Sequence, residues 1–232
     1  MNYVRKDRID ASALDLARGI GDVSEQLLTN GFAVIDGIVD TESHIRVAAE
    51  FGTIERNCLG SFVHNLCVKT KELAHSRSLS AIHGSGMFPF HTDTAFWRTP
   101  CRLLTLRAVG GDLRRSTRII RASHLLEGMS ERDLDRACWI VNTGQSSFYT
   151  GLVWHTGQLS RFRLDLGCMK PANSTAKPLE PEMKYRCRSV LGLEIQWKPG
   201  RMLILDNWQL LHARSVEVEN EGIRTLERIY LT

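Results

Sequence analysis

The sequence predicts a mostly β protein, built as a sandwich or a barrel, with helices gathered mainly at its N-terminal side. Two observations support this expectation. From residue 90 onward, short apolar runs alternate with turn signals of Gly, Pro, Asn and Asp. Before residue 56, apolar spacing and capping residues are typical of helices around one short strand. A length of 232 residues suits one domain, which we expect to cover residues 1–232.

Helix signals dominate the first 55 residues. Asp22 is followed by Glu25 three positions later, a capping-box pattern that predicts a helix running through Leu28. A short buried strand is predicted at residues 32–35. Asp40 is then predicted to cap a second helix. The N-terminal part is therefore expected to be helix, strand, helix.

Short strands dominate the remainder. Gly110–Gly111 is expected to end one strand, and a Pro199–Gly200 turn is expected to join two others as a hairpin. Helices are predicted at 131–137 and 182–191, with a loop at 171–182 before the second. The predicted strands cover residues 102–109, 117–121, 139–141, 152–154, 162–164, 195–197, 202–205 and 229–231.

Composition excludes several classes of protein. The longest apolar runs, such as Met202–Leu205, are far too short to cross a bilayer. No apolar segment follows the charged N-terminus, so no signal peptide is visible and a cytoplasmic location is expected. The six cysteines contain no C-x-x-C pair, which argues against a thiolate zinc site and favours free thiols.

The charge is mildly positive, with a formal net charge of +4 that is too small to indicate nucleic-acid binding by itself. No basic helix or RNP-type aromatic pattern accompanies it, so no nucleic-acid partner is expected. Solvated strand faces or a cationic mouth that attracts an anionic substrate both explain the local run of arginines. That run consists of Arg98, Arg102, Arg107, Arg114, Arg115, Arg118 and Arg121. The oligomeric state stays open, with a homo-oligomer as one option.

Three residues have the composition of a metal site. His91 and Asp93 stand two positions apart in a strand-like segment, so their side chains project to the same face. His212 follows another strand-like run far downstream and is a candidate third ligand. Two histidines and one carboxylate form the ligand set of mononuclear non-haem Fe(II) oxygenases, which leave coordination positions open. The pattern therefore predicts an iron-dependent oxygenase.

The sequence around these three candidate ligands resembles that of a known family. Pro89–Trp97 and Leu205–Arg214 resemble, in order and separation, the two signature segments of the taurine dioxygenase (TauD/TfdA-like) family, and Leu27–Ile35 looks like its opening helix-to-strand segment. The resemblance spans most of the chain except roughly 125–195. It implies a double-stranded β-helix (jelly-roll) core, Fe(II) as the metal, and 2-oxoglutarate and O2 as cosubstrates.

The resemblance also implies residues that bind 2-oxoglutarate. The family places an arginine after the distal histidine, and Arg224 and Arg228 have the Arg-x-x-x-Arg spacing of the family. Arg224 is the expected partner of the distal carboxylate, because a guanidinium suits bidentate binding. Arg228 is expected to contact substrate, or to take the Arg224 role in another register. Thr117, or Ser116 beside it, is expected to help hold 2-oxoglutarate.

Other side chains are weaker candidates. Phe96, Trp97 and Trp208 are expected either to wall the iron site or to pack in the core. The remaining histidines have no carboxylate at strand spacing and are not expected to bind the metal. Those considered are His83, in a flexible loop predicted at 80–87, His124 and His155.

Asp93 narrows the implied chemistry. Related halogenases replace the carboxylate ligand by a small residue, so a carboxylate here favours oxygenation. The resemblance implies hydroxylation, or desaturation or cyclisation, of a small polar molecule with release of succinate and CO2. An amino acid, a sulfonate or carboxylate, and a natural-product intermediate are the expected substrate types. Two alternatives stay open: a zinc-dependent hydrolase on the same ligands, and a non-catalytic jelly-roll binding protein.

Overall fold

The structure is a computed structural model that describes residues 11–57, 59–67, 84, 86–156 and 159–232, with the backbone alone at 11–18, 156, 159 and 160. The helices are α1 Ala11–Asn30, α2 Thr41–Ala49, α3 Ala122–Leu125, α4 Glu131–Arg136 and α5 Ala176–Ser189. The strands are β1 Phe32–Ile35, β2 Ile54–Glu55, β3 His64–Cys67, β4 Phe88–His91, β5 Leu103–Gly111, β6 Thr117–Arg121, β7 Trp139–Asn142, β8 Ser147–Thr150, β9 Val153–Thr156, β10 Leu159–Phe162, β11 Met169–Pro171, β12 Leu193–Ile195, β13 Met202–Asp206, β14 Leu210–Arg214 and β15 Arg224–Leu231.

Two antiparallel sheets form the core. The major sheet has the order β1-β13-β5-β15-β2, with β3 also paired to β15, and the minor sheet has the order β12-β6-β14-β4. Their inner faces share one apolar cluster, to which the major sheet gives Leu104, Leu203 and Leu226 and the minor sheet gives Ile119 and Leu210. This architecture is a double-stranded β-helix, so the predicted mostly β class with a jelly-roll core is confirmed.

Helices and small sheets cover the outer faces. On β13, Leu203 and Leu205 point into the inner cluster, while Met202 and Ile204 point outward to a second cluster that α1 and α2 complete. Outside the minor sheet, α5 and the segment that contains β7 to β11 form a third cluster around the fully buried Trp139. The metal-site strands β4 and β14 therefore have a solid apolar support behind them.

The first helix begins earlier than predicted. Its described part runs from Ala11, so Asp22 and Glu25 lie inside it and do not cap it. Val23 and Leu27 lie about one turn apart and pack against the major sheet. Such tertiary burial outweighs a local capping pattern. The predicted cap of the second helix is confirmed, because the Asp40 carboxylate accepts the backbone N–H of Ser43 at 2.7 Å.

The predicted hairpin around Pro199–Gly200 is wrong. β12 pairs with β6 in the minor sheet, whereas β13 pairs with β1 and β5 in the major sheet. A tight turn, with the Arg201 N–H bonded to the Lys198 carbonyl at 3.0 Å, carries the chain from one sheet to the other. Trp197 and Leu203, on either side of that turn, both reach the cluster between the sheets.

Two further boundaries differ from the prediction. The segment 171–182 is not all loop, because α5 begins at Ala176; Pro178 lies in its first turn, where a missing N–H breaks no helical bond. Gly110–Gly111 does not end β5, which continues to Gly111 across a β-bulge against β15. The loop predicted at 80–87 lies mostly outside the described residues. Within the described helices, none is long and apolar enough to cross a membrane.

Candidate metal centre

His91 and Asp93 lie at the end of the edge strand of the minor sheet. His91 is the last residue of β4, and Asp93 follows in the turn beyond it. Two hydrogen bonds hold this exit: the Thr92 N–H donates to the Leu164 carbonyl at 2.8 Å, and the Leu164 N–H donates to the Thr92 hydroxyl at 3.0 Å. Thr94, next in the turn, has a φ of +53°. A β-branched residue in this conformation is strained, and such strain clusters at functional sites.

His212 completes the group from the neighbouring strand. It lies in the middle of β14, directly opposite His91 in the β4–β14 register, and the two imidazole centroids are 4.3 Å apart. The His91 Nε2 lies 4.0 Å from Asp93 Oδ1, and the His212 Nε2 lies 3.6 Å from Asp93 Oδ2. One ligand atom from each residue lies within 4.8 Å of the others, and all three residues are buried. The structure thus brings the three predicted ligands together.

The protonation of the group suits a metal. The His91 Nδ1 lies 3.0 Å from the Pro89 carbonyl, which fixes Nδ1 as the protonated nitrogen and turns the Nε2 lone pair toward Asp93. Burial lowers the pKa of His91 to about 4, and it also lowers the pKa of His212. Both imidazoles are therefore neutral at neutral pH, the form that coordinates divalent metals.

Asp93 remains ionised in spite of its burial. Desolvation raises the pKa of its carboxyl group, but the positive charge of Arg228, followed by the interactions with His212 and His91, outweighs this effect and lowers the pKa below its usual value. The Arg228 Nη1 donates to both carboxylate oxygens, at 2.9 Å each. Because a carboxylate offers about four lone pairs, this pairing leaves acceptor positions for a metal. Nη2 of the same guanidinium lies 2.9 Å from Nδ1 of His64 on β3.

Arg224 lies elsewhere, next to other cations. It is buried, and its Nη1 donates to the Arg115 carbonyl at 2.5 Å. Burial, followed by the nearby charges of Arg214 and Arg115, lowers the pKa of Arg224 to about 10. In the described part of the chain, no carboxylate forms an ion pair with Arg224 or Arg214. Arg115 pairs with Glu221 at 3.3 Å, so Arg224 and Arg214 leave this region with a buried excess of positive charge, which suits an anionic ligand.

Thr117 lies close to this positive charge along the chain. It is the first residue of β6, two positions after Arg115, and it stands opposite Arg214 in the β6–β14 register. Its hydroxyl accepts the indole N–H of Trp197 at 3.1 Å, so its own hydrogen is available to a ligand. Ser116, the other candidate, donates its hydroxyl to Glu194 at 3.2 Å. This difference favours Thr117 over Ser116 as the hydroxyl donor to a ligand.

The three aromatic candidates have different surroundings. Trp97 meets Tyr230 edge-on at a centroid distance of 5.5 Å, in the cluster between the sheets. Phe96 packs against the outer cluster of the minor sheet. Trp208 donates its indole N–H to a backbone carbonyl at 3.0 Å and lies under the guanidinium of Arg161. Packing accounts for these described contacts, and none of them is with the three ligand residues.

Neither His124 nor His155 joins the three candidate ligands. His124 is exposed on α3, and His155 is exposed on β9. His44, which sequence reasoning passed over, is fully buried behind the major sheet, where Thr105 and Glu227 contact its two ring nitrogens at 2.8 and 3.2 Å. His83 lies outside the described residues.

Asn207 is the functional-site residue that sequence reasoning missed. It is fully buried in the turn before β14; its Oδ1 accepts the Asp93 N–H at 2.9 Å, and its Nδ2 donates to the carbonyls of Asp93 and Cys101 at 3.0 Å each. These bonds hold the turn that carries Asp93 against the strand that carries His212. The available signal was an amide directly after a buried strand that is apolar up to Asp206, and five residues before His212.

Comparisons with known proteins identify the fold. No family model matches the sequence, and no curated protein matches it either. Among solved structures, an asparagine oxygenase in complex with Fe(II), 2S,3S-3-hydroxyasparagine and succinate is 16% identical, with a TM-score of 0.72 over 93% of this chain and 79% of that chain. A putative alpha-ketoglutarate-dependent taurine dioxygenase from Burkholderia xenovorans is 18% identical, with a TM-score of 0.71 over 100% and 87% of the two chains.

A third similar structure is the non-heme iron oxygenase OrfP in complex with Fe and alpha-ketoglutaric acid. It is 18% identical, with a TM-score of 0.69 over 95% of this chain and 81% of that chain. At these identities the likeness establishes a shared fold: the chain has the double-stranded β-helix of these oxygenases. The activity must be argued from the site itself.

Proposed function

We propose that this protein is an Fe(II)- and 2-oxoglutarate-dependent oxygenase that acts on a small polar molecule. The single observation that carries the proposal is the buried group of His91, Asp93 and His212, whose ligand atoms lie within 4.8 Å of one another on adjacent strands. Two neutral imidazoles and one carboxylate on one face leave the opposite coordination positions of an octahedral metal open. That arrangement suits Fe(II) with a chelating cosubstrate and O2.

The reaction follows from this ligand set. Iron bound here, together with 2-oxoglutarate and O2, supplies the oxidising power to functionalise an unactivated C–H bond, with release of succinate and CO2. Hydroxylation is the main outcome we propose, with desaturation or cyclisation as variants of the same chemistry. Structurally similar proteins include an asparagine oxygenase and OrfP, whose complex contains (3S)-hydroxy-L-Arg. An amino acid therefore stands first among the proposed substrates, ahead of sulfonates, carboxylates and natural-product intermediates.

Binding of 2-oxoglutarate is assigned to the buried positive region. Arg224 would hold the distal carboxylate, because its guanidinium is buried beside Arg214 and Arg115 without a carboxylate partner in the described chain. Thr117 would donate its hydroxyl to the same carboxylate. The double hydrogen bond of Arg228 to Asp93 assigns it a different task, which is to orient the ligand carboxylate. These roles are supported by contacts and charge.

The proposal is tested with anaerobically purified protein. Addition of Fe(II) and then 2-oxoglutarate should produce a visible charge-transfer absorption, and admission of O2 should produce succinate even without substrate. His91→Ala should lose the absorption, whereas His124→Ala, at an exposed histidine, should keep it. If the wild type shows neither absorption nor succinate, the proposal is wrong. A zinc-dependent hydrolytic activity without succinate would instead support the hydrolase alternative.

Several expectations from the sequence remain predictions. They are a single domain over residues 1–232, a cytoplasmic location, the absence of a nucleic-acid partner, and an oligomeric state that includes the homo-oligomer option. Size-exclusion chromatography with light scattering would measure the last of these directly.

A further inference from the structure

Two arginines project from one face of an extended segment near the metal centre. Arg161, in β10, and Arg163, just after it, alternate with Phe162 and Leu164, which are buried in the apolar cluster outside the minor sheet. Because alternate residues of an extended chain point to opposite sides, Arg161 and Arg163 share the other side. We call these two residues the arginine pair.

Aromatic rings hold both guanidinium groups. The guanidinium carbon of Arg161 lies 3.7 Å from the centroid of the Trp208 ring. The guanidinium carbon of Arg163 lies 5.3 Å from the ring of Trp154 and 5.2 Å from the ring of Phe148. Stacking of this kind restrains the plane of a guanidinium and leaves its N–H edge able to donate hydrogen bonds.

The arginine pair has no anionic partner among the described residues. Arg163 is only 3% exposed; its Nη2 donates to the Arg98 carbonyl at 2.7 Å, but its Nε and Nη1 are buried without a hydrogen-bond partner. The Nε of Arg161 is also buried and unpartnered. Burial lowers the pKa of Arg163 to about 10, so it stays charged at neutral pH. Buried cations are normally paired, because an unpaired one costs free energy.

The backbone beside the arginine pair is bonded to the candidate metal centre. Leu164 is hydrogen-bonded to Thr92, the residue between His91 and Asp93, and Arg163 donates to the carbonyl of Arg98, five residues after Asp93. Arg161 and Trp208 line a cavity of about 600 Å³. Three carboxylates, Glu127, Glu131 and Asp135, also line that cavity, and none of them forms an ion pair with the arginine pair.

We propose that Arg161 and Arg163 together bind an oxyanion, a carboxylate or phosphate group of the molecule that this protein oxidises. The anion would supply the acceptors that the unpartnered Nε and Nη1 atoms lack, and it would enter through the cavity, which Arg161 and Trp208 line and Arg163 does not. That the oxyanion belongs to the substrate rests on the proposed function. The existence of the anion site does not, so the two are tested separately.

The test uses metal-free protein and two probes, inorganic phosphate and acetate, each titrated against chloride at constant ionic strength. Thermal unfolding should show a saturable rise in Tm with at least one probe, because a ligand that binds the folded state stabilises it. Arg161→Met should raise the apparent Kd of that probe about tenfold or more, as expected for loss of charge-assisted hydrogen bonds. Since Arg161 is partly exposed, this variant is expected to fold.

Two matched variants decide where the probe binds. Arg136→Met, at an exposed arginine of α4, should keep the rise in Tm, whereas Arg163→Met should lose it while its Tm without added anion stays equal to or above that of the wild type, because an unpaired buried charge has been removed. If a further variant, Arg224→Met, alone abolishes the rise, or if both variants of the arginine pair retain it, the proposal is wrong. No rise with either probe would also overturn it. None of these measurements involves iron or turnover, so their failure is distinct from failure of the proposed oxygenase activity.

Discussion

Asp93 has the densest set of charged neighbours at the site. Its two carboxylate oxygens face both imidazoles and accept from Arg228, and its backbone is bonded on both sides to Asn207. Removing the carboxylate would therefore remove a metal ligand and at the same time leave a mostly buried guanidinium without its anion. These two effects can be measured separately.

We expect Asp93→Ala to destabilise the metal-free protein by about 3 kcal/mol, since breaking a buried ion pair leaves an uncompensated charge. The double variant Asp93→Ala/Arg228→Met should recover much of that loss, because neither charge remains. Urea unfolding measures both. Equal destabilisation of the single and double variants would show that the ion pair does not contribute in this way.

Arg224 and Arg228 should differ in which step they affect. Arg224→Met should raise the 2-oxoglutarate concentration needed for half-maximal succinate formation by about tenfold or more, because a charge-assisted bidentate bond contributes over 1.4 kcal/mol. Fe(II) binding, measured by anaerobic titration, should be unchanged. Arg228→Met should instead weaken Fe(II) binding more than it raises the 2-oxoglutarate requirement. If Arg224→Met weakened Fe(II) binding and Arg228→Met raised the 2-oxoglutarate requirement, the roles proposed for the two arginines would have to be exchanged.

At the scale of elements, the turn between β13 and β14 connects the two halves of the metal centre. Asn207 forms three buried hydrogen bonds from that turn to the chain around Asp93 and Cys101. The pairing of two strands fixes the residues within them, but it does not fix a residue in the loop that follows a strand. The amide bridge fixes Asp93, which lies in such a loop, relative to His212.

Asn207→Ala should destabilise the fold by roughly 2–4 kcal/mol, because buried backbone groups of Asp93 and Cys101 lose their partners. Fe(II) affinity should fall by about 10–100-fold, the usual effect of losing support behind a metal ligand. Gln209→Ala, two positions along the same turn and exposed, serves as the control for general disturbance of the turn. Unchanged Fe(II) affinity in Asn207→Ala would show that the hydrogen bonds of Asn207 stabilise the fold without supporting the metal centre.

The pairing of β5 with β15 at Gly111 is a second element in which a substitution should affect the site. Gly111 has a φ of +85°, and a Cβ atom there would lie 2.0 Å from the Ile223 carbonyl, directly before Arg224. Gly111→Ala should therefore cost at least about 1 kcal/mol and weaken 2-oxoglutarate binding. Gly110→Ala, whose Cβ would meet nothing within 4 Å, should change little. Equal effects of the two substitutions, by urea unfolding and succinate assay, would contradict this reading.

At the scale of the whole molecule, a buried polar group links the outer helix layer to the major sheet. His44 of α2 contacts Thr105 and Glu227, and the Arg107 guanidinium pairs with the same Glu227 carboxylate at 2.9 Å. Burial lowers the pKa of His44 to about 4. The folded protein therefore holds this imidazole neutral over a pH range in which the unfolded chain takes up a proton.

Stability should consequently fall as the pH falls. The unfolded chain protonates His44 near its ordinary pKa of 6.5 and the folded protein only near 4, so the stabilisation is complete above 6.5 and is lost toward 4. The contribution is about 1.4 kcal/mol per pH unit within that window. Urea unfolding measures the free energy of unfolding between pH 7 and 5. Its slope against pH should be smaller in His44→Gln than in the wild type, by the equivalent of about one proton taken up on unfolding. An unchanged slope would contradict the assignment.

The local sequence pattern predicted a good part of this molecule. The cap at Asp40 and the strand at 117–121 both depend on interactions within a few residues, which periodicity and capping rules describe. The strand predicted to carry both His91 and Asp93 ends at His91, and the turn beyond it brings Asp93 to the same group. Two of the predictions that were wrong concern contacts between distant segments. The first helix, whose described part runs from Ala11, packs on the sheet through Val23 and Leu27, and the failed hairpin after β12 depends on which sheet each strand joins.

The sequence by itself determined the class of fold, the choice of three candidate metal ligands and the presence of two C-terminal arginines, because residue type and spacing are local properties. Only the tertiary structure decided that Arg228 faces Asp93 while Arg224 lies in a separate buried positive region. It alone also placed Asn207 behind Asp93 and left Arg163 buried without an anion. These features depend on strand register and on desolvation, which arise only when segments far apart in the chain pack together.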